Sequence, residues 1–299
     1  MNSQLNRREA LLGFLALGGA FAVGSQSASA APQSAIDSDI AELEQRHRAR
    51  IGLWAVDLHT GAAAEHRATE RFAMCSTFKT YAAARALQLA ADGQLNMTEP
   101  IAVSATDIVV NSPVTSTRAG ASMTVDEICD AALTQSDNTA GNLLLRIIGG
   151  PPAVTAFART LGDQDTRLDR WEPELNAATP GDPRDTTTPG GLGAGYRRLL
   201  TGDALTPVSS DRLLDWMRAN VTSAKRFRAG IPPGWTSADK TGAGDYGSTN
   251  DAGVLYGPTG QRVVMVVLTH SSEDRKDADP LNEAIADTVR LTLGHFGYR

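Results

Sequence analysis

Residues 237–269 read SADKTGAGDYGSTNDAGVLYGPTGQRVVMVVLT. Within them Ser237–Thr241, Ala252–Tyr256 and Arg262–Thr269 are three β-favouring runs joined by glycine-rich turns, the pattern of consecutive antiparallel strands. After them the pattern changes to a helix over about Pro280–Phe296. Strand signals recur near the other end of the chain. Ile51–Leu58 alternates apolar with polar or small residues and turns at His59-Thr60-Gly61 into Ala64–Ala68, a β-hairpin. Ahead of it Ile36, Ile40 and Leu43 sit at helical spacing among charged residues, giving an amphipathic helix over about Ser38–Arg48.

The middle of the chain is helical. Ser76 to about Ala91 is rich in Ala and Leu without Gly or Pro, and Asp92-Gly93 stops it, so a buried helix is expected. Thr124-Val-Asp-Glu127 is a capping box opening a helix that ends near Ser136. Thr139–Ile148 forms another, closed by Gly149-Gly150-Pro151. Arg170–Pro189, rich in Pro, Asp, Thr and Gly, reads as a long ordered loop, a kind uncommon unless functional. Two helices follow, around Pro189–Leu200 and Ser209–Asn220. Strands at both ends with helices between them predict an α/β chain of the α+β kind. Its two ends form one antiparallel sheet flanked by the N- and C-terminal helices and packed on a second, all-helical lobe.

The 299 residues carry a net charge of -6 and no Lys/Arg run, which argues against nucleic acid or an acidic membrane surface as partner and favours a small molecule. Arg7 and Arg8, the apolar stretch Ala10–Val23 and the small-x-small triplet Ala28-Ser29-Ala30 read as an export signal over residues 1–30, with the twin-arginine route suggested by the paired arginines. The apolar run is shorter than a membrane-spanning helix needs. The mature chain is expected to begin near Ala31, exported, periplasmic or secreted, without a membrane anchor, and monomeric. His47, His59, His66, His270 and His295 show no ligand spacing, so neither a metal site nor a cofactor is expected. Cys75 and Cys129 could pair in an oxidising compartment or stay small buried hydrophobes.

Ser76-Thr77-Phe78-Lys79 places a hydroxyl at a helix start and an amine on the same face three residues on, able to hold or take the serine proton. The helix N-terminus offers free N–H groups and a positive dipole end, both suited to an oxyanion. Alone the pattern says little, because Ser237-Ala-Asp-Lys240 matches it too, and that serine reads as structural. Two further tripeptides raise its meaning: Ser136-Asp137-Asn138 just after a helix, which could also be a plain helix cap, and Lys240-Thr241-Gly242 closing a strand. Inside the long loop, Glu172 and Asn176 stand four apart, so one helical turn lets a carboxylate and an amide grip one water.

In this order the motifs resemble those of active-site serine penicillin-recognising enzymes, and within them of class A serine β-lactamases. Glu172-Pro173-Glu174-Leu175-Asn176 looks like that family's omega loop, and the resemblance spans nearly all of Arg50–Arg299. It implies a β-lactamase/transpeptidase-like catalytic domain over 31–299, with a sheet lobe at about 31–67 and 228–299 and a helical lobe at about 68–227. It also implies hydrolysis of penicillin- and cephalosporin-type β-lactams, conferring antibiotic resistance. In that scheme Ser76 is the nucleophile, Lys79 or Glu172 the base that activates it, Ser136 the proton donor to the ring nitrogen, and Glu172 with Asn176 the activator of the deacylating water. The resemblance assigns the oxyanion hole to the N–H groups of Ser76 and Ala243. It assigns the substrate carboxylate to Lys240, Thr241 and Arg226 beside Gly242 and Ala243, the acylamide side chain to Asn138, and the ion pair tying the loop ends to Arg170 and Asp185.

Some positions depart from the family pattern. Asn111 stands where many members carry an aromatic rim residue. Cys75 matches a cysteine that some members bond to one after Lys-Thr-Gly, where this chain has Gly244. The usual partner position of Cys129 is Ala83, so the resemblance implies two free thiols. A D-alanyl-D-alanine carboxypeptidase or other penicillin-binding protein shares three of the motifs but lacks the deacylating glutamate. A β-lactam sensor would be expected to keep an anchor and a signalling partner.

Overall fold

The computed structural model describes residues 35–299; the export signal read at residues 1–30 and the mature start near Ala31 lie outside them. Helices run over α1 (Ala35–His47), α2 (Phe78–Ala91), α3 (Val125–Thr134), α4 (Asn138–Ile148), α5 (Pro151–Thr160), α6 (Pro189–Thr201), α7 (Pro207–Arg218), α8 (Phe227–Gly230) and α9 (Asn282–His295). Strands run over β1 (Ala49–Asp57), β2 (Ala63–His66), β3 (Phe72–Ala73), β4 (Pro100–Ala102), β5 (Ser122–Thr124), β6 (Thr186–Thr187), β7 (Thr236–Ala243), β8 (Thr249–Tyr256) and β9 (Arg262–Ser271).

Strands from the two ends of the chain form one antiparallel sheet in the order β2-β1-β9-β8-β7. Its central strand explains the unbroken apolar run VVMVVL. Val263, Met265 and Val267 point into a core with Ile36 and Ile40 of α1 and Ile285, Val289 and Leu293 of α9. Val264, Val266 and Leu268 point the opposite way, into a second core with Phe78, Leu192 and Tyr196. A strand buried on both faces has no position for a polar residue, so alternation disappears.

Local signals set most boundaries. The Thr124 hydroxyl accepts from Glu127 N at 3.1 Å while the Glu127 carboxylate accepts from Thr124 N at 2.7 Å, the reciprocal cap of α3. Thr188 and Thr206 cap α6 and α7, each followed by a proline in the first turn. Two helices have no counterpart in the sequence reading, the single turn α8 and the longer α5: Gly149-Gly150-Pro151 closes α4 and at once opens α5, because Pro151 lacks only an N–H that a first helical turn does not use. The two-residue strands β3 and β6, which pair at the base of the long loop, also went unread.

Candidate active site

The turn before α2 is held from several sides. Cys75 adopts the left-handed region at φ 46, and Met74 N donates to Asp185 O at 3.0 Å. Asn250 Nδ2 on β8 donates to Ala73 O and Met74 O at 2.8 and 3.1 Å, and Tyr196 on α6 donates to Thr77 O at 2.9 Å. These contacts fix Ser76 just ahead of α2. One turn on, Lys79 Nζ lies 2.9 Å from Ser76 Oγ, so the three-residue spacing places both on one face.

Lys79 is fully buried and gathers four acceptors: Ser76 Oγ, Ser136 O at 2.8 Å, Asn138 Oδ1 at 2.8 Å and Glu172 Oε1 at 3.0 Å. Burial pulls the affinity of its amine for a proton down, and the Glu172 carboxylate opposes that. Ser76 Oγ also reaches Glu172 Oε1 at 3.3 Å. Gly141 on α4 makes this packing possible, since a Cβ there would sit 2.8 Å from Lys79 Cε.

Ser136 joins two lysines. With φ 56 it turns its carbonyl to Lys79 and its hydroxyl to Lys240, whose Nζ donates to Ser136 Oγ at 2.9 Å. Asp137 caps α4 through Ala140 N at 2.9 Å, and its other oxygen accepts from Val114 N and Thr115 N, each at 2.9 Å. The Asn138 amide bridges Lys79 and Val110 O, leaving its second N–H for another partner.

Glu172 is held at both ends. Its side chain accepts from Asn176 Nδ2, while its backbone exchanges two hydrogen bonds, both 2.9 Å, with the side chain of Asn142. The Glu172–Pro173 peptide is cis. Asn176 reaches back from a short 3₁₀ turn over Glu174–Ala177, and its Oδ1 is buried with no partner among the described residues. At the loop ends Arg170 Nε meets Asp185 Oδ2 at 2.5 Å, and Asp185 Oδ1 accepts from Asp169 N and Arg170 N at 2.7 and 2.9 Å.

β7 brings Lys240, Thr241, Gly242 and Ala243 alongside the Ser76 turn. Gly242 is a spacing residue there, since a Cβ would lie 2.8 Å from Met74 O. Thr241 Oγ1 pairs with Thr222 Oγ1 at 2.5 Å. Arg226 is buried, with its guanidinium donating to Gly242 O at 2.8 Å, Asn250 O at 2.9 Å and Asn282 Oδ1 at 2.8 Å. It therefore braces β7 from behind. The second Ser-x-x-Lys serine, Ser237, donates to the Asp239 carboxylate. Cys75 and Cys129 are free, buried thiols, and burial pushes both well above the usual thiol range. Gly244 presses on Cys75, where a Cβ would lie 2.8 Å from Sγ. Asn111, at φ 59, is exposed and accepts through its carbonyl from Asn138 N at 3.0 Å.

Asn142 and Gly141 escaped the sequence reading. Asn142 stands four residues after Asn138 on α4, and that spacing was the available signal that both face the same cleft.

Residues 35–293 match the β-lactamase enzyme family. A β-lactamase of Streptomyces lavendulae is 48% identical over 284 residues, covering 92% of this chain and 92% of its own. β-Lactamase AST-1 of Nocardia asteroides is 48% identical over 261 residues, covering 87% and 84%. Among solved structures, a class A β-lactamase described as that of the last common ancestor of Gram-negative bacteria has a TM-score of 0.84 at 48% identity, covering 88% of this chain and 100% of its own. A family match across nearly all of the described residues, with relatives this similar over this much of their length, means that the chain belongs to the β-lactamase enzyme family and has the class A fold.

Proposed function

We propose that the protein hydrolyses the β-lactam ring of penicillin- and cephalosporin-type antibiotics, and so confers resistance, through an acyl-enzyme on Ser76 that Glu172 clears with water. The observation that carries this reading is one buried constellation: Ser76 Oγ within 2.9 Å of Lys79 Nζ and 3.3 Å of Glu172 Oε1, with Glu172 bonded to Asn176.

Ser76 Oγ attacks the lactam carbonyl, and the N–H groups of Ser76 and Ala243 receive the oxyanion. The serine proton goes to Glu172, or to Lys79 once that amine has released its own to Glu172. Glu172 gives the proton up again as Ser136 is reprotonated, so that it is a carboxylate when water attacks. The C–N bond then breaks and the ring nitrogen takes a proton from Ser136, whose hydroxyl is resupplied through Lys240 at 2.9 Å. In the second half, Glu172 takes a proton from water as it attacks the ester, and Ser76 leaves with a proton. Asn176 Oδ1, buried and unpartnered, is free to accept from that water. Lys240 and Thr241 hold the substrate carboxylate, and Arg226 adds positive charge from behind β7. Asn138 offers its second amide N–H to the acylamide side chain. Arg170 and Asp185 keep the loop closed so that Glu172 stays on Ser76.

A penicillin-binding protein would use the same serine, lysines and strand without a carboxylate on the acyl ester; Glu172 at 3.3 Å from Ser76 favours the hydrolase. Export to the periplasm or medium is part of this proposal, and among the described residues no helix is long and apolar enough to cross a membrane. The test is the full chain with a large excess of chromogenic cephalosporin. Continued turnover, abolished in Ser76→Ala, is expected; a burst of one equivalent that stops would show a penicillin-binding protein instead.

A further inference from the structure

Arg197 and Arg198 lie on the exposed side of α6, and Arg262 opens β9. The three arginines line one cavity of about 560 Å³ whose apolar wall includes Trp54, Leu58 and Leu161. The Trp54 ring packs closely on Gly193 of α6, where a Cβ would come within 2.3 Å of it. That volume falls in the range of small-molecule sites.

The electrostatics single this cavity out. Most arginines among the described residues have a carboxylate or carbonyl partner, such as Arg146 with Asp107, Arg159 with Asp163 O and Arg167 with Asp169. Five make no side-chain hydrogen bond or ion pair there, namely Arg46, Arg197, Arg198, Arg262 and Arg299, and three of those five meet at this one place. No Asp or Glu lines the cavity, although the chain has more acidic than basic residues. Like charges brought together without a counter-ion repel, and an anion arriving between them removes that cost. Guanidinium forks match a carboxylate in two-point pairing, and an indole wall matches a flat ring.

We infer that this cavity is a second, noncatalytic binding site for small aromatic carboxylates, with Arg197, Arg198 and Arg262 taking the anion and Trp54 the ring. The site is independent of the proposed reaction. It does share a helix with it, since Tyr196, next to Arg197, donates to Thr77 O beside the nucleophile.

Isothermal titration calorimetry of the full chain with 1-naphthoate tests this without reference to activity. One saturable site is expected, weakened roughly tenfold or more in the combined variant Arg197→Glu, Arg262→Glu and also by about 0.5 M NaCl. Lys240→Ala is expected to leave it unchanged. The uncharged 1-naphthamide is expected to bind at least about tenfold more weakly. Naphthoate binding that survives the charge reversal, that disappears in Lys240→Ala, or that naphthamide equals would overturn the assignment, as would no saturation by about 10 mM.

Discussion

Two buried lysines share the active site and are provided for in opposite ways. Lys79 has four acceptors within 3.0 Å, one of them the Glu172 carboxylate. Lys240 has two, Ser136 Oγ and Thr241 O, both neutral and both at 2.9 Å, and among the described residues no carboxylate lies within ion-pair distance of it. Burial, with the Lys79 charge adding to it, pushes the Lys240 amine well below the usual lysine range. The contrast separates their tasks. In the proposed reaction Lys79, balanced internally, is suited to passing a proton, whereas the proposed role of Lys240 is to take the counter-ion it lacks from the carboxylate of an incoming substrate.

The comparison breaks most severely if Lys79 is dispensable. Lys79→Ala leaves the Glu172 carboxylate buried without its ammonium, and kcat/KM for a chromogenic cephalosporin is expected to fall about 10³-fold or more. A loss under tenfold would remove Lys79 from the proton path. Lys240→Ala is expected to cost about 10²-fold, mostly through KM, with Lys240→Arg restoring part of it. The pH profile sharpens this point. A depressed lysine loses its proton at lower pH than a free one, so substrate binding in the parent enzyme should weaken as pH rises through that lowered value. Arginine stays charged, and its variant should move the alkaline limb upward; coincident limbs would mean that Lys240 is not the titrating group.

Smaller effects belong to the supports. Asp185 is almost wholly buried, and Arg170→Met would leave it only backbone N–H partners. Thermal denaturation should show a loss of about 2–3 kcal/mol, with deacylation slowed more than acylation in single-turnover experiments. The smallest change is expected at the thiols. Native protein should leave Cys75 and Cys129 unlabelled by Ellman's reagent, and Cys129→Ala should cost about 1 kcal/mol while kcat/KM stays within about twofold.

Much of this architecture is legible in the sequence where one physical signal dominates. The runs at 237–269 and the hairpin from Ile51 appear as strands, within a few residues of their ends, because β-branched runs broken by glycine turns have few other solutions. The capping box at Thr124 is equally local. α5 was hidden because Gly-Gly-Pro signals a helix stop and a helix start in the same three residues. At the site, the motif residues meet as their spacing and order suggest, but their supports do not announce themselves. Asn142 grips the backbone of a residue 30 positions away. The orientation of Arg226 toward strand carbonyls depends on packing behind β7, which no local pattern encodes.

The central claim is that Glu172 clears the acyl-enzyme, and Glu172→Gln tests it most directly. Removing the carboxylate also removes the main influence holding the Lys79 proton on, so more of its amine is neutral and able to take the serine proton, and acylation should continue. Mass spectrometry of the variant mixed with excess cephalosporin is expected to show one equivalent bound at Ser76 and persisting, while the parent enzyme shows none at steady state. Rapid turnover by the glutamine variant, with no accumulated adduct, would contradict the account.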